Sequence, residues 1–503
     1  MKRLLKALLT LTAFSVLTRF LGFLYKIYLS RIMTTTELGM YNLTLSIYMV
    51  LITIVASSIP LVISRITSIN RSNHKEFNTY YSFSSSLLLT LLVSIILSIL
   101  VIILKPLIIM IIGSELGYLI IISLIPSIIF SALYSQVRGY LWGYEHYFGV
   151  SMVEFIEQIL RIIFCIIFVY TGLFSSPVIA VGTALSIACG ISTGYGFYLY
   201  FKHGGKLKFK KGYMTEIISS SLPLTGVRLF SSLLQPIIAV VLPLILATLG
   251  MSRDMALSEL GIIMGMSLPL ISIPSTIIGS LCMILVPKIS SDNSQNHNLH
   301  NQIDNYILFS LICLFTFFPA FIVLGEPICK FVFDNSQAGI YLSSCAWIII
   351  PMGIAQITTS ILNALNQEKK SFIYFVISSI FMFVAILILP KLIGIMAMAY
   401  AIGISNIILA LLNIRLINKL TLYQANLIKK LSVQLLISLP VILISRLTYN
   451  WLHLITPTII SIGICGIISI VAYYALLITF NVIDVRIVKN FIFKRLKSRA
   501  AAQ

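Results

Sequence analysis

Charged residues are scarce in this chain: they make up 10% of its 503 residues, against about 25% in a soluble domain. Acids are scarcer still, with 15 Asp and Glu against 35 Lys and Arg. Hydrophobic residues reach 59% and the mean hydropathy is +1.03. No water-soluble fold of this length hides that much apolar surface, so the chain reads as an integral membrane protein. Strand alternation is missing, and the long Leu- and Ile-rich runs exclude a barrel in favour of helices. No C-x-x-C pair occurs. The seven cysteines, Cys165, Cys189, Cys282, Cys313, Cys329, Cys345 and Cys465, are scattered, mostly in apolar runs, and read as small packing residues. His297 and His300 in "SDNSQNHNLH" have no Cys beside them and do not make a metal set. There is no G-x-x-x-x-G-K-[ST] loop, no loop large enough for an ATPase domain and no pair of carboxylates at hydrolytic spacing. That leaves no catalytic constellation and no cofactor.

What the chain does have is apolar runs of membrane length, about 20 residues each. They fall near 7–32, 38–64, 80–104, 118–137, 149–170, 178–201, 215–249, 256–287, 305–325, 338–365, 371–390, 392–414, 431–449 and 456–482, which makes 14. The start "MKRLLKALLTLTAF" is basic and then apolar, but no small-residue cleavage site follows, so a retained first helix is expected rather than a signal peptide. With this helix count, 25 Lys and Arg fall on one side of the membrane and six on the other. The excess of basic residues marks the cytoplasmic side, so both termini are expected there. The net charge of +20 is therefore placed for a membrane surface and not for nucleic acid. The tail "VRIVKNFIFKRLKSR" is expected either along the anionic inner leaflet or as a solvated basic end.

A weak internal repeat runs through the chain. Arg19 in "LTRFLGF" corresponds to Arg228 in "GVRLFSS", and "ELGMYNLTLS" at Glu37 corresponds to "ELGIIMGMSL" at Glu259. "IPLVISRITS" is echoed by "MILVPKISS", and "RGYLWGYEHYFGVS" by "LNALNQEKKSFIYF". The order is kept at nearly one spacing. Six helices separate the copies, an even number, so the copies face the same way, as in a parallel repeat about an axis along the membrane normal. The expected architecture is all-α: a six-helix lobe over 1–211, a second over 212–425 related by a pseudo-two-fold around a central cavity, two extra helices over 426–482, and a basic cytoplasmic tail over 483–503.

Four cations fall inside the apolar segments: Arg19, Lys26, Arg161 and Arg228. Arg19 lies roughly 18 Å along its helix, past the middle of a ~30 Å core. Lys26 sits closer to the surface, within snorkelling reach of it. A central Arg costs about 2.5–3.5 kcal/mol on insertion scales, so these side chains should face water or a partner. Arg19 and Lys26 are seven apart and share a helix face with Gly22 between them. Glu157 is four before Arg161, at ion-pair spacing, and Glu154 lies a turn further back. Pairing with Glu157 is expected for Arg161. No acid lies within a turn of Arg19 or Arg228, which leaves substrate contact as the favoured role and a hidden ion pair as the alternative. Many buried cations with few buried acids select an anionic cargo, and the Arg fork suits phosphate. A lipid pyrophosphate meets both demands.

At these residues the chain resembles the multidrug/oligosaccharidyl-lipid/polysaccharide exporter superfamily. "TRFLGFLYKIYLSR" is similar to its first-helix pattern. "QVRGYLWGYEHYFGVSMVEFIEQILR" resembles the R-G-x-x-Q-G…E-Q-x-x-R element of the polysaccharide branch. Arg138, Gly139, Gly143, Glu157, Gln158 and Arg161 keep that pattern, and Trp142 stands where the element has Gln. "GMSLPLISIPSTIIGSLCMILVPKIS" resembles helix 8 of the stage V sporulation protein B group, which is related to the lipid II flippase MurJ. The resemblance implies a fourteen-helix flippase with two lobes that alternate access. It also implies cavity-lining cations on helix 1 and on the first helix of the second lobe. Arg19 matches the first directly and Arg228 the second by repeat position. Tyr25 and Lys26 stand where MurJ has an Arg–Asp pair. The implied cargo is an undecaprenyl-pyrophosphate-linked glycan for cell wall or spore cortex, with wall or spore-envelope synthesis proteins as partners. Another lipid-linked repeat unit, a cation-coupled drug exporter using Glu154 and Glu157, and a non-transporting scaffold are the competing readings.

Overall fold

The computed structural model describes residues 2–56, 58–73, 76–210, 212–294, 299–421, 426–480 and 482. His297 and the basic tail over 483–503 lie outside the described residues, which contain helices and turns and no strand. The first ten helices are α1 (Lys2–Ile32), α2 (Thr35–Ala56), α3 (Ile59–Ser72), α4 (Glu76–Ile103), α5 (Lys105–Ile112), α6 (Glu115–Gly143), α7 (Tyr147–Thr171), α8 (Pro177–Lys202), α9 (Tyr213–Thr248) and α10 (Arg253–Ile262). After a π-helical turn at Ile263–Ser267 come α11 (Leu268–Ile271), α12 (Ile273–Ser294), α13 (His300–Phe333), α14 (Ser336–Cys345), α15 (Ile349–Ala364), α16 (Glu368–Ile388), α17 (Pro390–Ile393), α18 (Ala397–Thr421), α19 (Leu427–Ile455) and α20 (Thr458–Thr479).

Helix covers each of the expected apolar segments. Among the described residues, twelve helical stretches are long and apolar enough to cross a membrane. The helix α7 falls outside that dozen because it carries Glu154, Glu157 and Arg161. The chain is an all-α, multi-pass membrane protein. Breaks follow local chemistry. Pro60 stands in the first turn of α3, where its missing N–H is tolerated, so the span over Thr35–Ser72 is made of two helices. By contrast α9 runs for 36 residues, about 54 Å, through Pro236 and Pro243 without a break.

Two compact units emerge, Met1–Gly265 and Met266–Gln503. The repeat sets a boundary at 211/212, whereas packing sets one at Gly265, because α9 and α10 lie against α2, and α9 also against α3 and α4. The first unit's core gathers Phe83, Tyr134, Val137, Tyr140, Leu141, Val150, Val153, Leu199 and Tyr200. Within it, Phe83 stacks on Tyr200 at 4.0 Å.

Repeat-related residues meet in this unit. Gly39 of α2 and Gly261 of α10 hold equivalent places in "ELGMYNLTLS" and "ELGIIMGMSL", and their backbones touch. A Cβ on Gly39 would fall 1.8 Å from the Leu257 carbonyl oxygen, and one on Gly261 would fall 2.2 Å from that of Thr35. Beside the crossing, the Ser258 hydroxyl donates to Thr35 Oγ1 at 2.7 Å. Changing Gly39→Ala gains about 1 kcal/mol of helix propensity. The methyl, however, meets backbone that cannot turn away, and overpacking costs about 1–3 kcal/mol or more. A net loss is expected, read as a lower thermal midpoint; an unchanged or higher midpoint would contradict this packing.

The α6–α7 turn is pinned to the end of α8. The Tyr140 hydroxyl donates to the His203 carbonyl at 3.3 Å, and the His146 ring stacks on that of His203 at 3.8 Å. Arg71 lies over Tyr144 at 5.5 Å. Burial, then the neighbouring His203 and Arg71, hold the His146 imidazole below its ordinary pKa. The folded state thus binds this proton less readily than the unfolded chain. The contribution is present above the ordinary imidazole range and is lost as pH falls through the lowered value. Protection of the amides around His203, relative to their intrinsic exchange, is expected to fall as pH drops below the ordinary imidazole pKa of about 6.5, and His146→Asn should flatten that dependence.

Candidate functional site

The second half of α1 has two faces. Tyr25, Leu29 and Met33 recur every four residues and are buried, at 5%, 2% and 6% exposure. Arg19 and Lys26, on the adjoining flank of the helix, are exposed. Gly22 faces α7: a Cβ there would stand 3.9 Å from Gln158 Nε2. Among the described residues, neither Arg19 nor Lys26 has a hydrogen-bond or ion-pair partner. Arg228 is exposed on α9 and takes part in contacts of its own. Both α1 and α9 pack against α2.

Arg161 does not pair as its spacing predicts. One of its guanidinium nitrogens donates to Gln158 Oε1, and the group lies over the Tyr25 ring at 5.5 Å. No Arg161–Glu157 ion pair forms among the described residues. The physical reason is lateral: the Tyr25 ring of α1 holds the guanidinium, and Glu157 acts on Arg161 only through its charge. The ion pair that does form joins Arg138 of α6 to Glu154 of α7 at 3.7 Å. Arg138 also lies over the Trp142 ring at 5.1 Å, which gives a use to the aromatic residue standing in place of Gln. Gly139 and Gly143 are packing residues here. Cβ atoms on them would meet Pro60 O at 2.7 Å and Thr67 Cβ at 2.5 Å, so they let α6 lie against α3.

Three donors around Arg161 are buried without an acceptor: Arg161 Nε, Gln158 Nε2 and the Tyr25 hydroxyl. Such groups cost about 1–3 kcal/mol each when left unmet. Among the described residues, the α1–α7 interface therefore holds unmet donors. Sequence reasoning named Arg161 and Gln158 but passed over Tyr25, whose four-residue spacing to Leu29 marks it as inward-facing. Chemically the face can hold an anion by charge and by N–H donation, and it offers no nucleophile or general base.

The profile of the polysaccharide biosynthesis protein family matches residues 4–291. Stage V sporulation protein B of Bacillus subtilis (strain 168) is 23% identical over 443 residues, covering 82% of this chain and 83% of that protein. Among solved structures, the lipid II flippase MurJ in an inward closed conformation superposes with a TM-score of 0.77 at 17% identity, over 93% of this chain and 98% of that one. An inward-facing multidrug resistance MATE family transporter superposes at 0.64 with 16% identity, over 81% and 96% of the two chains. The structural matches share the fold. The chain belongs to the polysaccharide biosynthesis protein family.

Proposed function

We propose that the chain is a flippase for an undecaprenyl-pyrophosphate-linked glycan, a peptidoglycan precursor of the lipid II kind. In this reading Arg19, Lys26, Arg161 and Arg228 receive the phosphates. The observation that carries it is the exposed Arg19 and Lys26 on a membrane helix, without a partner among the described residues. Insertion of a central Arg costs about 2.5–3.5 kcal/mol, and no described residue recovers that cost, so a ligand is the natural partner.

Both termini are cytoplasmic in this reading, by the lysine-rich side of the loops. The Gly39–Gly261 crossing then seals the outer side. Transport proceeds by alternating access, with the first six helices and the next six, over 1–211 and 212–425, as the moving parts. The drug-exporter reading wants free carboxylates for a coupling cation. Of its two candidates, Glu154 is held by Arg138 and Glu157 sits beside Arg161. The test is a choice of cargo in proteoliposomes. Lipid-linked pyrophosphate glycans are expected to be moved and cationic dyes are not; gradient-driven dye export without glycan movement would sink the proposal.

A further inference from the structure

A second polar site lies at the start of α9, apart from the α1–α7 face. A cavity of about 370 Å³ is lined by Ile66 and Asn70 of α3, Asn78 and Ser82 of α4, and Gly212, Tyr213 and Glu216. All of these residues belong to the unit Met1–Gly265. Its polar groups are not used up. Ser82 is 2% exposed, and its hydroxyl has no partner among the described residues. The Tyr213 hydroxyl donates to Asn78 Oδ1 at 2.9 Å, which commits that oxygen and leaves the amide N–H pair of Asn78 to donate. No side chain caps the start of α9, so its first N–H groups are also open to a ligand. Glu216 contributes acceptors only. Two nearby lysines are engaged elsewhere: Lys208 lies over Phe77 at 4.4 Å and Lys210 over Tyr81 at 5.7 Å.

The lining decides between ligand classes. A bare phosphate would face a carboxylate, with no cation among the described lining residues. An apolar ligand would strand Ser82 and the Asn78 amide. A compact body with donors and acceptors at close intervals meets every group. Sugar hydroxyls can donate to Glu216 and accept from Ser82 and Asn78. An acetamido group matches the amide of Asn70, and Ile66 meets a C–H face. The volume lies at the low end of the roughly 300–1,000 Å³ of small-molecule pockets, which suits one ring. The geometry points to a binding site for a single acetamido-sugar ring, built by α3, α4 and the start of α9. It rests on the flippase reading for the source of that sugar: the head group of the lipid-linked glycan, held at the lysine-rich face ahead of the α1 cations.

The test uses the full-length purified protein and saturation-transfer NMR, with free N-acetylglucosamine and inorganic phosphate as probes. N-acetylglucosamine is expected to receive saturation and phosphate is expected not to displace it. Asn70→Ala and Glu216→Gln, at a half-buried and an exposed position, should each weaken sugar binding about fivefold or more. Arg19→Ala should leave it unchanged. Absence of transfer to the sugar, transfer indifferent to both pocket variants, or displacement by phosphate would each overturn the site. The two readings fail separately. No sugar binding alongside a transport defect in Arg19→Ala removes the pocket and keeps the flippase. Sugar binding alongside full transport by Arg19→Ala does the reverse.

Discussion

Replacing Arg19 with alanine is expected to lower translocation of a lipid-linked pyrophosphate about 10- to 100-fold, with no loss of protein from the membrane. A hydrogen bond to a charged group contributes about 1.5–3 kcal/mol, and each ~1.4 kcal/mol is tenfold in rate. The side chain is exposed and has no protein partner among the described residues, so removing it breaks no packing and leaves no orphaned acid. Alanine is also the better helix former. Loss of function with normal abundance thus separates a ligand contact from a structural one. Arg19→Lys should fall between wild type and alanine, since it keeps the charge and loses the planar fork. An alanine variant that transports normally would remove Arg19 from the site.

The second large effect comes from a cross-link. Thr35 and Ser258 face each other across the α2–α10 crossing with hydroxyls 2.7 Å apart. Cysteines at both places stand at a separation a disulfide can bridge with small adjustment. If α10 must leave α2 for cargo to reach the outer side, the oxidised Thr35→Cys/Ser258→Cys protein should show background transport, and a reductant should restore it. The single-cysteine variants control for the substitutions themselves. Full transport by the cross-linked protein would mean that the crossing does not part in the cycle. The tight Gly39–Gly261 contact makes this place a good lock, because backbones in contact leave little room for sliding.

Much of this was legible in the sequence. The apolar runs located each of the twelve membrane-length helical stretches among the described residues, because the bilayer sets their length. The two copies of "ELG" foretold two equivalent glycines, and the structure puts them in contact. Arg19 was found from its depth and the lack of a nearby acid, and Lys26 from its seven-residue spacing to Arg19; both are exposed. The partner of Arg161 was not legible. Spacing along one helix offers Glu157, but the guanidinium goes to Gln158 and to Tyr25 on a neighbouring helix. Gly139 and Gly143 read as motif residues until the approach of α3 explained them. The cavity near Ser82 was hidden for a similar reason. Its walls come from residues 66–82 and 212–216, and no local pattern links segments so far apart. The packing boundary at Gly265 was also out of reach, since a repeat records equivalence and not which helices touch.

The central claim is that the cations on α1 and α9 carry an anionic lipid across the membrane. Its most direct test is translocation of purified, fluorescently tagged lipid II in proteoliposomes, comparing wild type with the Arg19→Ala/Arg228→Ala double variant at equal protein density. Transport by the wild type and none above protein-free vesicles by the double variant is the predicted result. Translocation by the double variant at the wild-type rate would contradict the account.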